Sequence, residues 1–511
     1  MGTQENLHKS SLQSSSFPPP SGFPVGNEHS SERVGFLRIC VLQADYSTSD
    51  VDYQHYDPPR DISHLMPEAV FDHVLLNKLS TYKQLKELKK KNYDVFVNLC
   101  EGYLEWSVPS VDVIYFMELL NLPFSGPTSL LYDPPKDLMK YVAYTTGVKT
   151  PAFALIETLD CIETNCSHLR YPLFVKPDKA GDSLGIDKHS LVHNKEELTA
   201  KCNEIMEEYG PLLVEEYIIG REFTVMLVAN AEDKNTCTVF KPIEYIFPEG
   251  FAFKTYALKT SELHPEANIP CKDPVLEVGL KDAALQIFRG FDGAGYARLD
   301  FRVNEQNEIF FLEINFTCSV FYKDGYEGSA DYILKADGIG QSGFLKKIIE
   351  EGIARHRRRQ KKYRMKGNAI AGYGIYATEN IPAGSVIFPG EGMAQRMVTR
   401  SHVERTWTEN EKETFRKYAY PLSKELFLLW DDNPSNWAPQ NHSCNPNTAY
   451  VGLNVIATRN IDKDEELTLN YASFLDEHME PFHCQCGSAN CCGWVTGIQH
   501  NSVTAREEAG N

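Results

Sequence analysis

Hydrophobic residues in the first part of the chain follow two spacings. Short apolar runs at FLRICVLQAD (36–45) and DVFVNLCEG (94–102) predict strands. Apolar residues at helical spacing fill 70–93, and 111–127 has the pattern of a helix followed by a short strand. Because parallel strands need crossover connections, which are usually helices, this alternation predicts a parallel α/β unit over 35–127.

A different pattern occupies residues 128–345, where the apolar strands are farther apart. Helices are predicted between them at 194–209 and 274–291. Five strands are predicted, at 171–177, 210–218, 223–230, 295–303 and 308–315. This arrangement predicts a second domain of the α+β type.

The basic run RHRRRQKKYR (355–364) breaks the composition of the chain and sets the next domain boundary. It lies in a predicted basic linker, 346–366, and holds seven Lys or Arg residues without an acid. A solvated helix end or linker is the favoured interpretation, and the alternatives are a nuclear localisation signal or a nucleic-acid contact. After it, short strands and Gly-rich turns predict a mostly-β domain over 367–475.

Charge and composition narrow the classes of function. The formal net charge is −19, from 51 basic and 70 acidic residues, which argues against direct nucleic-acid binding by the whole surface. Neither a signal peptide nor an 18-residue apolar run is present, so we expect no membrane partner and a location in the cytoplasm or nucleus. The Ser- and Pro-rich residues 1–34 are expected to be disordered, and 496–511 form a tail.

Polar side chains collect on two neighbouring predicted strands near residue 300. Asp300 lies on one strand, and Glu313 and Asn315 alternate on the next, so that both face the same side of the sheet. Two carboxylates and an amide oxygen suit Mg²⁺, which prefers oxygen ligands. Arg298 lies two residues before Asp300, on the same face, where a guanidinium could stabilise developing negative charge.

A lysine and a Gly-rich loop precede these strands. Lys176 ends one strand, and the loop DKAGDSLG (178–185) could bring backbone N–H groups close to phosphates. In this order the residues resemble the ATP-grasp enzymes, and most closely the D-alanine–D-alanine ligases, over about 36–345. The resemblance implies that ATP is contacted by Lys140, Lys176, Ser183, Glu215, Glu216, Glu222 and Lys259.

The resemblance also implies a role for each group. Glu215 and Glu216 would line the adenine pocket, Glu222 would hold the ribose, and Lys259 would lie in a loop that closes over the phosphates. The implied catalytic arginine and magnesium ligands are Arg298, Asp300, Glu313 and Asn315. ATP would phosphorylate a carboxylate, and an amine would then displace phosphate.

Three departures from the family concern its substrates. Thr260 replaces the family's tyrosine after Lys259. The segment LQADYSTSDVDYQHYDPP lacks the Gly-rich motif whose glutamate grips the first D-alanine, and NFTCS (315–319) replaces the family's Asn-Thr-x-Pro-Gly. The resemblance therefore implies a small carboxylate and an amine as substrates, and D-alanine specificity does not follow.

Cysteines cluster near the end of the chain. Cys484, Cys486 and Cys491 have the spacing C-x-C-x₄-C and suit a tetrahedral Zn²⁺ as three of its four ligands. Cys444, in the segment NHSCNPN, is the best candidate for the fourth ligand. Cys492 is adjacent to Cys491 and cannot easily share the same ion.

NHSCNPN, DEELTLNY (464–471) and the cysteine loop 476–495 together resemble a SET domain with its post-SET zinc loop, as in protein-lysine methyltransferases. The resemblance implies a structural zinc ion and a catalytic Tyr471. It also implies contacts to S-adenosylmethionine from Gly372, Gly374, Asn441 and His442. Asn470 stands where the family usually has Asp.

The sequence thus predicts a multidomain protein in which an α/β and α+β ATP-grasp fold is followed by a mostly-β SET domain with a zinc-bound post-SET loop. The leading hypothesis is a bifunctional ligase and N-methyltransferase, whose methyl acceptor is a protein lysine or a small-molecule amine. The alternative is a SET lysine methyltransferase carrying a non-ligating ATP sensor or scaffold. The related ligases also suggest a homodimer, by analogy alone.

Overall fold

The computed structural model describes most of the chain, which divides into two compact units, Met1–His356 and Arg357–Asn511. The described residues are 36–47, 49, 57–102, 107–179, 184–233, 235–253, 267–392, 396–430, 440–477 and 480–497.

The first unit is built from both strands and helices. Its strands are β1 (Arg38–Ala44), β2 (Val70–Leu76), β3 (Val95–Asn98), β4 (Phe153–Ile156), β5 (Leu173–Pro177), β6 (Leu191–Val192), β7 (Leu212–Glu216), β8 (Arg221–Ala229), β9 (Cys237–Val239), β10 (Ile243–Tyr245), β11 (Asn268–Pro270), β12 (Tyr296–Val303) and β13 (Ile309–Asn315). Its helices are α1 (Thr81–Lys89), α2 (Val111–Leu119), α3 (Lys136–Thr146), α4 (Ile162–Cys166), α5 (Lys195–Tyr209), α6 (Pro274–Gly290), α7 (Ser329–Asp337) and α8 (Gly340–Arg359).

These strands form three sheets. A parallel sheet has the order β2-β1-β3, and an antiparallel sheet has the order β4-β7-β5-β6. The largest sheet is antiparallel, in the order β11-β10-β8-β12-β13, with β9 paired to β8. One face of β8, β12 and β13 packs on α3 and α6 around buried residues such as Phe223, Leu299 and Phe311. That packing fixes the strands whose other residues carry the predicted ligase chemistry.

The prediction of helical spacing across 70–93 is wrong for its first part. Residues Val70–Leu76 form β2, which pairs in parallel with β1 along its whole length, and only Thr81–Lys89 is an α-helix. The backbone hydrogen bonds offered by the buried strand β1 outweigh a local apolar spacing that suits either element. The short strand predicted after α2 is reduced to a single parallel bridge between Phe96 and Phe124.

The interpretation of 355–364 as a solvated helix end or linker does not hold for its first residue. Helix α8 runs through 346–359, and the buried Arg355 donates hydrogen bonds to the carbonyl oxygens of Gly126 and Phe124 at 2.7 Å each. Arg355 is therefore a packing residue of the first unit. Like the other helices of the described residues, α8 lacks the combination of length and apolar character that crossing a membrane requires.

The second unit consists mainly of short strands, as predicted. They are β14 (Tyr363–Asn368), β15 (Gly372–Ala377), β16 (Val386–Phe388), β17 (Arg396–Thr399), β18 (Tyr420–Pro421), β19 (Leu426–Leu429), β20 (Asn441–His442), β21 (Thr448–Val451), β22 (Asn454–Ala457), β23 (Glu466–Leu469), β24 (Phe482–His483) and β25 (Trp494–Val495). Two helices, α9 (Arg400–Thr406) and α10 (Glu409–Tyr418), lie within the domain that the sequence predicts to be mostly β.

The strands of the second unit form small sheets, in the orders β14-β15-β23-β20, β16-β22-β21, β17-β19-β18 and β24-β25. The first two share a core that includes Ile375, Val455 and Leu467. Strand β20 pairs in parallel with β23, so that Asn441 lies opposite Thr468. This pairing brings the NHSCNPN segment beside the strand that leads to Tyr471.

Candidate active sites

The largest sheet of the first unit brings the predicted magnesium ligands together. Asp300 on β12 pairs directly with Glu313 on β13, and Arg298 pairs with Asn315. Opposite residues in an antiparallel pair have Cβ atoms about 4.5–5.5 Å apart, so the two carboxylates are close neighbours. Two like charges placed side by side favour a divalent cation between them. The donor set therefore fits Mg²⁺, and the role of these residues as ligands stays a prediction.

A β-bulge turns two consecutive residues of β13 toward an open cleft. Asp300 pairs with Glu313 and Phe301 pairs with Phe311, which leaves Leu312 as the extra residue. Leu312 and Glu313 both line the cleft. Aromatic and charged side chains share its walls, among them Phe174, Tyr217, Phe253, Lys176, Asp300 and Arg302. This combination of side chains suits a ligand that has both a flat ring and charged groups, such as a nucleotide.

A buried charge cluster forms part of the wall of the cleft, which Lys176 and Glu215 both line. Glu215 receives the ammonium groups of Lys140 at 2.7 Å and Lys176 at 2.5 Å. Burial by itself would raise the pKa of Glu215, but the two lysines outweigh it and lower the pKa to about 2. Burial lowers the pKa of Lys140 to about 8, and the charge of Lys176 acts in the same direction, although Glu215 acts to raise it. Two ammonium groups and one carboxylate leave an excess positive charge, which favours an anion beside Lys176.

The structure separates the two lysines that the sequence placed in the nucleotide site. Lys176 lines the cleft, whereas the side chain of Lys140 is fully buried and contacts Glu215. Lys136, one turn before Lys140 on α3, was missed. It is buried, and burial lowers its pKa, although the charge of Glu313 acts to raise it. The spacing Lys136-x-x-x-Lys140 was the available signal, since residues four apart lie on one helix face.

The predicted adenine and ribose contacts line the same cleft but already have protein partners. Glu216 accepts three hydrogen bonds from the backbone and guanidinium of Arg170. Glu222 pairs with Arg302 at 3.1 Å. Ser183 and Lys259, the other two predicted contacts, lie outside the described residues.

In the second unit, the predicted glycine turn begins strand β15. Gly372 has φ +80°, in the left-handed region that favours glycine. A Cβ atom on Gly374 would lie 2.3 Å from a carboxylate oxygen of Glu466. Asn441 donates from its side-chain amide to the same oxygen and to the carbonyl of Tyr373, at 2.8 Å each. The side-chain amide of Asn441 thus braces the glycine strand, and the contact of Asn441 with the cofactor stays a prediction.

His442 connects the predicted catalytic tyrosine to the cysteines. The backbone N–H of Tyr471 donates to Nδ1 of His442 at 3.2 Å, and Nε2 lies 3.4 Å from Sγ of Cys444. Since Nδ1 accepts, the ring proton is assigned to Nε2, which donates to the sulfur. The ring of His442, predicted to contact the methyl donor, is therefore engaged at both nitrogens.

The side chain of Tyr471 is oriented by a single strong hydrogen bond. Its hydroxyl donates to the carbonyl oxygen of Gln440 at 2.6 Å. Burial raises the pKa of the phenol, so the hydroxyl stays protonated at neutral pH. Such a group can orient a substrate amine but cannot serve as an anionic base. Gln440, the residue before NHSCNPN, was missed because a backbone acceptor leaves no signature in the sequence.

The four predicted zinc ligands converge. The sulfur atoms of Cys444, Cys484, Cys486 and Cys491 all lie within 4.8 Å of one another. Sγ of Cys444 is 3.8 Å from that of Cys484, the separation expected for two sulfurs bound at about 2.3 Å to one tetrahedral ion. The donor set and spacing therefore fit zinc. Cys444 also lies 3.5 Å from the sulfur of Cys492, and a second group of possible ligands joins these two cysteines to His442.

Comparison with known proteins agrees with the division of the chain into two units. Residues 142–322 match the family model "D-ala D-ala ligase C-terminus", and residues 372–472 match "SET domain". The D-alanine–D-alanine ligase of Listeria welshimeri is 30% identical over 253 residues, which cover 47% of this chain and 65% of the ligase. That of Listeria monocytogenes is 33% identical over 210 residues, covering 39% and 55%. The chain thus spans between about half and two thirds of these relatives' own lengths.

A solved D-alanine–D-alanine ligase from Bacillus anthracis, complexed with ATP, is also similar, with a TM-score of 0.48 and 19% identity over 63% of this chain and 100% of that one.

The two family models and the sheets of the two units define a two-part protein, in which an ATP-grasp-like ligase fold precedes a mostly-β SET domain. The chain contains the D-alanine–D-alanine ligase C-terminal domain at 142–322 and a SET domain at 372–472. Both resemblances drawn from the sequence are therefore confirmed.

Proposed function

We propose that the chain is a bifunctional enzyme, an ATP- and Mg²⁺-dependent carboxylate–amine ligase and an S-adenosylmethionine-dependent N-methyltransferase that acts on lysine. The cleft of the first unit carries the ligase proposal. It combines the carboxylate pair Asp300 and Glu313, the ammonium of Lys176 and an aromatic wall. Those are the groups that a magnesium–triphosphate and a purine base require.

In this proposal the charged groups divide the work of the ligase. Asp300, Glu313 and Asn315 would hold Mg²⁺, which supplies charge neutralisation at the phosphates. Lys176, backed by the excess positive charge around Glu215, would bind phosphate oxygens. Arg298, whose guanidinium lies 3.4 Å from Asp300, would stabilise negative charge that develops during acyl transfer. The substrates are a small carboxylate and an amine.

In the second unit, the protonated hydroxyl of Tyr471 and nearby carbonyl groups would orient a neutral amine toward the methyl donor. S-Adenosylmethionine supplies the methyl group. Cys444, Cys484, Cys486 and Cys491 would hold a structural zinc ion, which fixes His442 and through it the backbone of Tyr471.

Two assays test the proposal. The full chain is incubated with S-adenosylmethionine labelled on its methyl group and a cell extract, and we expect label on lysine. Phosphate release from ATP and Mg²⁺ is measured with a panel of amino acids, and at least one should stimulate it. Binding of ATP without stimulated phosphate release would support the sensor alternative instead, and absence of methyl transfer would refute the methyltransferase.

A further inference from the structure

Arg302 is a buried arginine that neither the ligase chemistry nor the sequence analysis used. It lies on β12 two residues after Asp300, and it lines the same cleft. Strands rise about 3.3 Å per residue, so Arg302 is about 7 Å from Asp300 along the strand. Its side chain is 4% exposed. A fully charged group at this depth requires several partners.

The guanidinium of Arg302 joins three separate segments. One terminal nitrogen donates to the hydroxyl of Tyr217 at 2.7 Å and to the carbonyl of Ile218 at 3.2 Å. The other donates to Glu222 at 3.1 Å and to the carbonyl of Ala252 at 2.5 Å. Each terminal nitrogen carries two hydrogens, so these four bonds use all of them.

Aromatic rings enclose the same guanidinium. Its central carbon lies 4.6 Å from the ring centre of Tyr217 and 5.6 Å from that of Phe247. Tyr217 in turn contacts Phe174 and Phe253, whose rings are 4.8 Å apart, and all three rings line the cleft. The aromatic wall, which suits a purine base, is therefore attached to Arg302.

We propose that Arg302 is the positioning residue for the base end of the nucleotide cleft. It holds Tyr217, Ile218, Glu222 and the carbonyl of Ala252 in the geometry that receives the base and ribose. Its terminal nitrogens are fully engaged by protein groups, so it acts through those groups rather than by touching the nucleotide. The inference rests on the proposed ATP binding and adds a residue to it.

A lysine cannot replace Arg302. The four acceptors are divided between two nitrogens of a planar group, whereas an ammonium has three donors on one atom. Arg302→Met would remove the guanidinium beside the carboxylate of Glu222 and the donor to the carbonyl of Ile218, in a site too buried for water to compensate fully. The carbonyl of Ala252 would keep its hydrogen bond from the hydroxyl of Tyr217 at 2.6 Å. Both changes should distort the base end and leave the phosphate end, at Lys176 and Glu313, intact.

The test compares ATP with tripolyphosphate, which has no base or ribose. Dissociation constants for both are measured with Mg²⁺ by calorimetry on the full chain, for the wild type, Arg302→Met, Arg302→Lys and Arg221→Met. Arg221 is the matched control, because it forms a two-bond pair with Glu244 and does not line the cleft. We expect both Arg302 variants to bind ATP at least about tenfold more weakly and tripolyphosphate within about twofold of wild type. Arg221→Met should change neither.

Two results would overturn the inference. One is ATP binding by the Arg302 variants at wild-type strength. The other is an equal loss of ATP and tripolyphosphate, which would indicate general damage to the fold. If Arg302→Met does not fold, Arg302→Lys, which keeps the charge, decides between these outcomes. A wild-type chain that binds tripolyphosphate but no ATP, or neither, would refute the proposed nucleotide function itself.

Discussion

Replacing Glu215 with glutamine removes the carboxylate that Lys140 and Lys176 share, while keeping the size of the side chain. All three side chains are buried, and the two contacts measure 2.7 and 2.5 Å. Removing one partner from a buried ion pair costs about 3–5 kcal/mol, because the remaining charge has neither water nor a counter-ion. Glu215→Gln leaves two ammonium groups in that position. We therefore expect a loss of at least about 3 kcal/mol in the free energy of unfolding of the first unit.

The pKa of Glu215 gives a second value for this loss in the free energy of unfolding. Its value of about 2, against an ordinary 4.5, corresponds to about 3 kcal/mol of favourable interaction with the ionised form. Because the pKa is lower in the folded state, this stabilisation is fully present above about pH 4.5 and is lost as the pH falls toward 2. The stability gap between wild type and Glu215→Gln should therefore narrow as the pH falls below 4.5.

Thermal unfolding of the full chain, followed by circular dichroism, measures the effect. The entropy of unfolding is about 2.1 cal/mol/K per residue near 60 °C, so a unit of more than about 300 residues loses about 1.5 °C of Tm for each 1 kcal/mol. The transition of the first unit should therefore fall by about 4 °C or more. Glu216→Gln is the control, since Glu216 pairs with Arg170, whose side chain is 86% exposed. Exposed pairs contribute about 1 kcal/mol or less, so this change should lower the Tm by less than about 2 °C. Equal shifts in the two variants would refute the argument.

Three further changes test the two sites. Tyr471→Phe removes the hydroxyl that is hydrogen-bonded to the carbonyl of Gln440. Methyl transfer should fall at least about 100-fold while zinc content and Tm stay unchanged. Undiminished transfer would remove Tyr471 from the mechanism. Cys444→Ser should lower both the bound zinc, measured by atomic absorption, and the rate of methyl transfer, and it should leave ATP binding unaffected. Cys492→Ser should retain zinc. Loss of zinc from Cys492→Ser but not from Cys444→Ser would favour the group His442, Cys444 and Cys492 as the ligands. Asp300→Asn should reduce Mg²⁺-dependent ATP turnover at least about 100-fold and raise the Mg²⁺ concentration needed for half-maximal rate. If that Mg²⁺ concentration is the same as in the wild type, Asp300 is excluded as a ligand.

Local patterns in the sequence were sufficient to predict those helices, strands and candidate ligands that depend only on residues close together in the chain. The period-2 placement of Glu313 and Asn315 on one strand, the C-x-C-x₄-C spacing and the boundaries of helices such as α5 and α6 are properties of short segments. The choice of Cys444 as a partner for cysteines forty residues away also agrees with the structure, because three clustered thiols require a fourth ligand.

Other features depended on contacts between distant segments. Residues 70–76 become a strand because β1 lies beside them, and Arg355 is buried because the carbonyl groups of Phe124 and Gly126 meet it. The sequence alone determined the two domain types and their order, and it predicted which residues carry the chemistry of the two candidate sites. Only the tertiary structure decided how charge is distributed among them: that Lys140 and Lys176 share Glu215, and that Arg302 binds Glu222. The physical reason is that ion pairing and burial depend on which strands become neighbours, and a residue's own neighbours in the chain do not specify that.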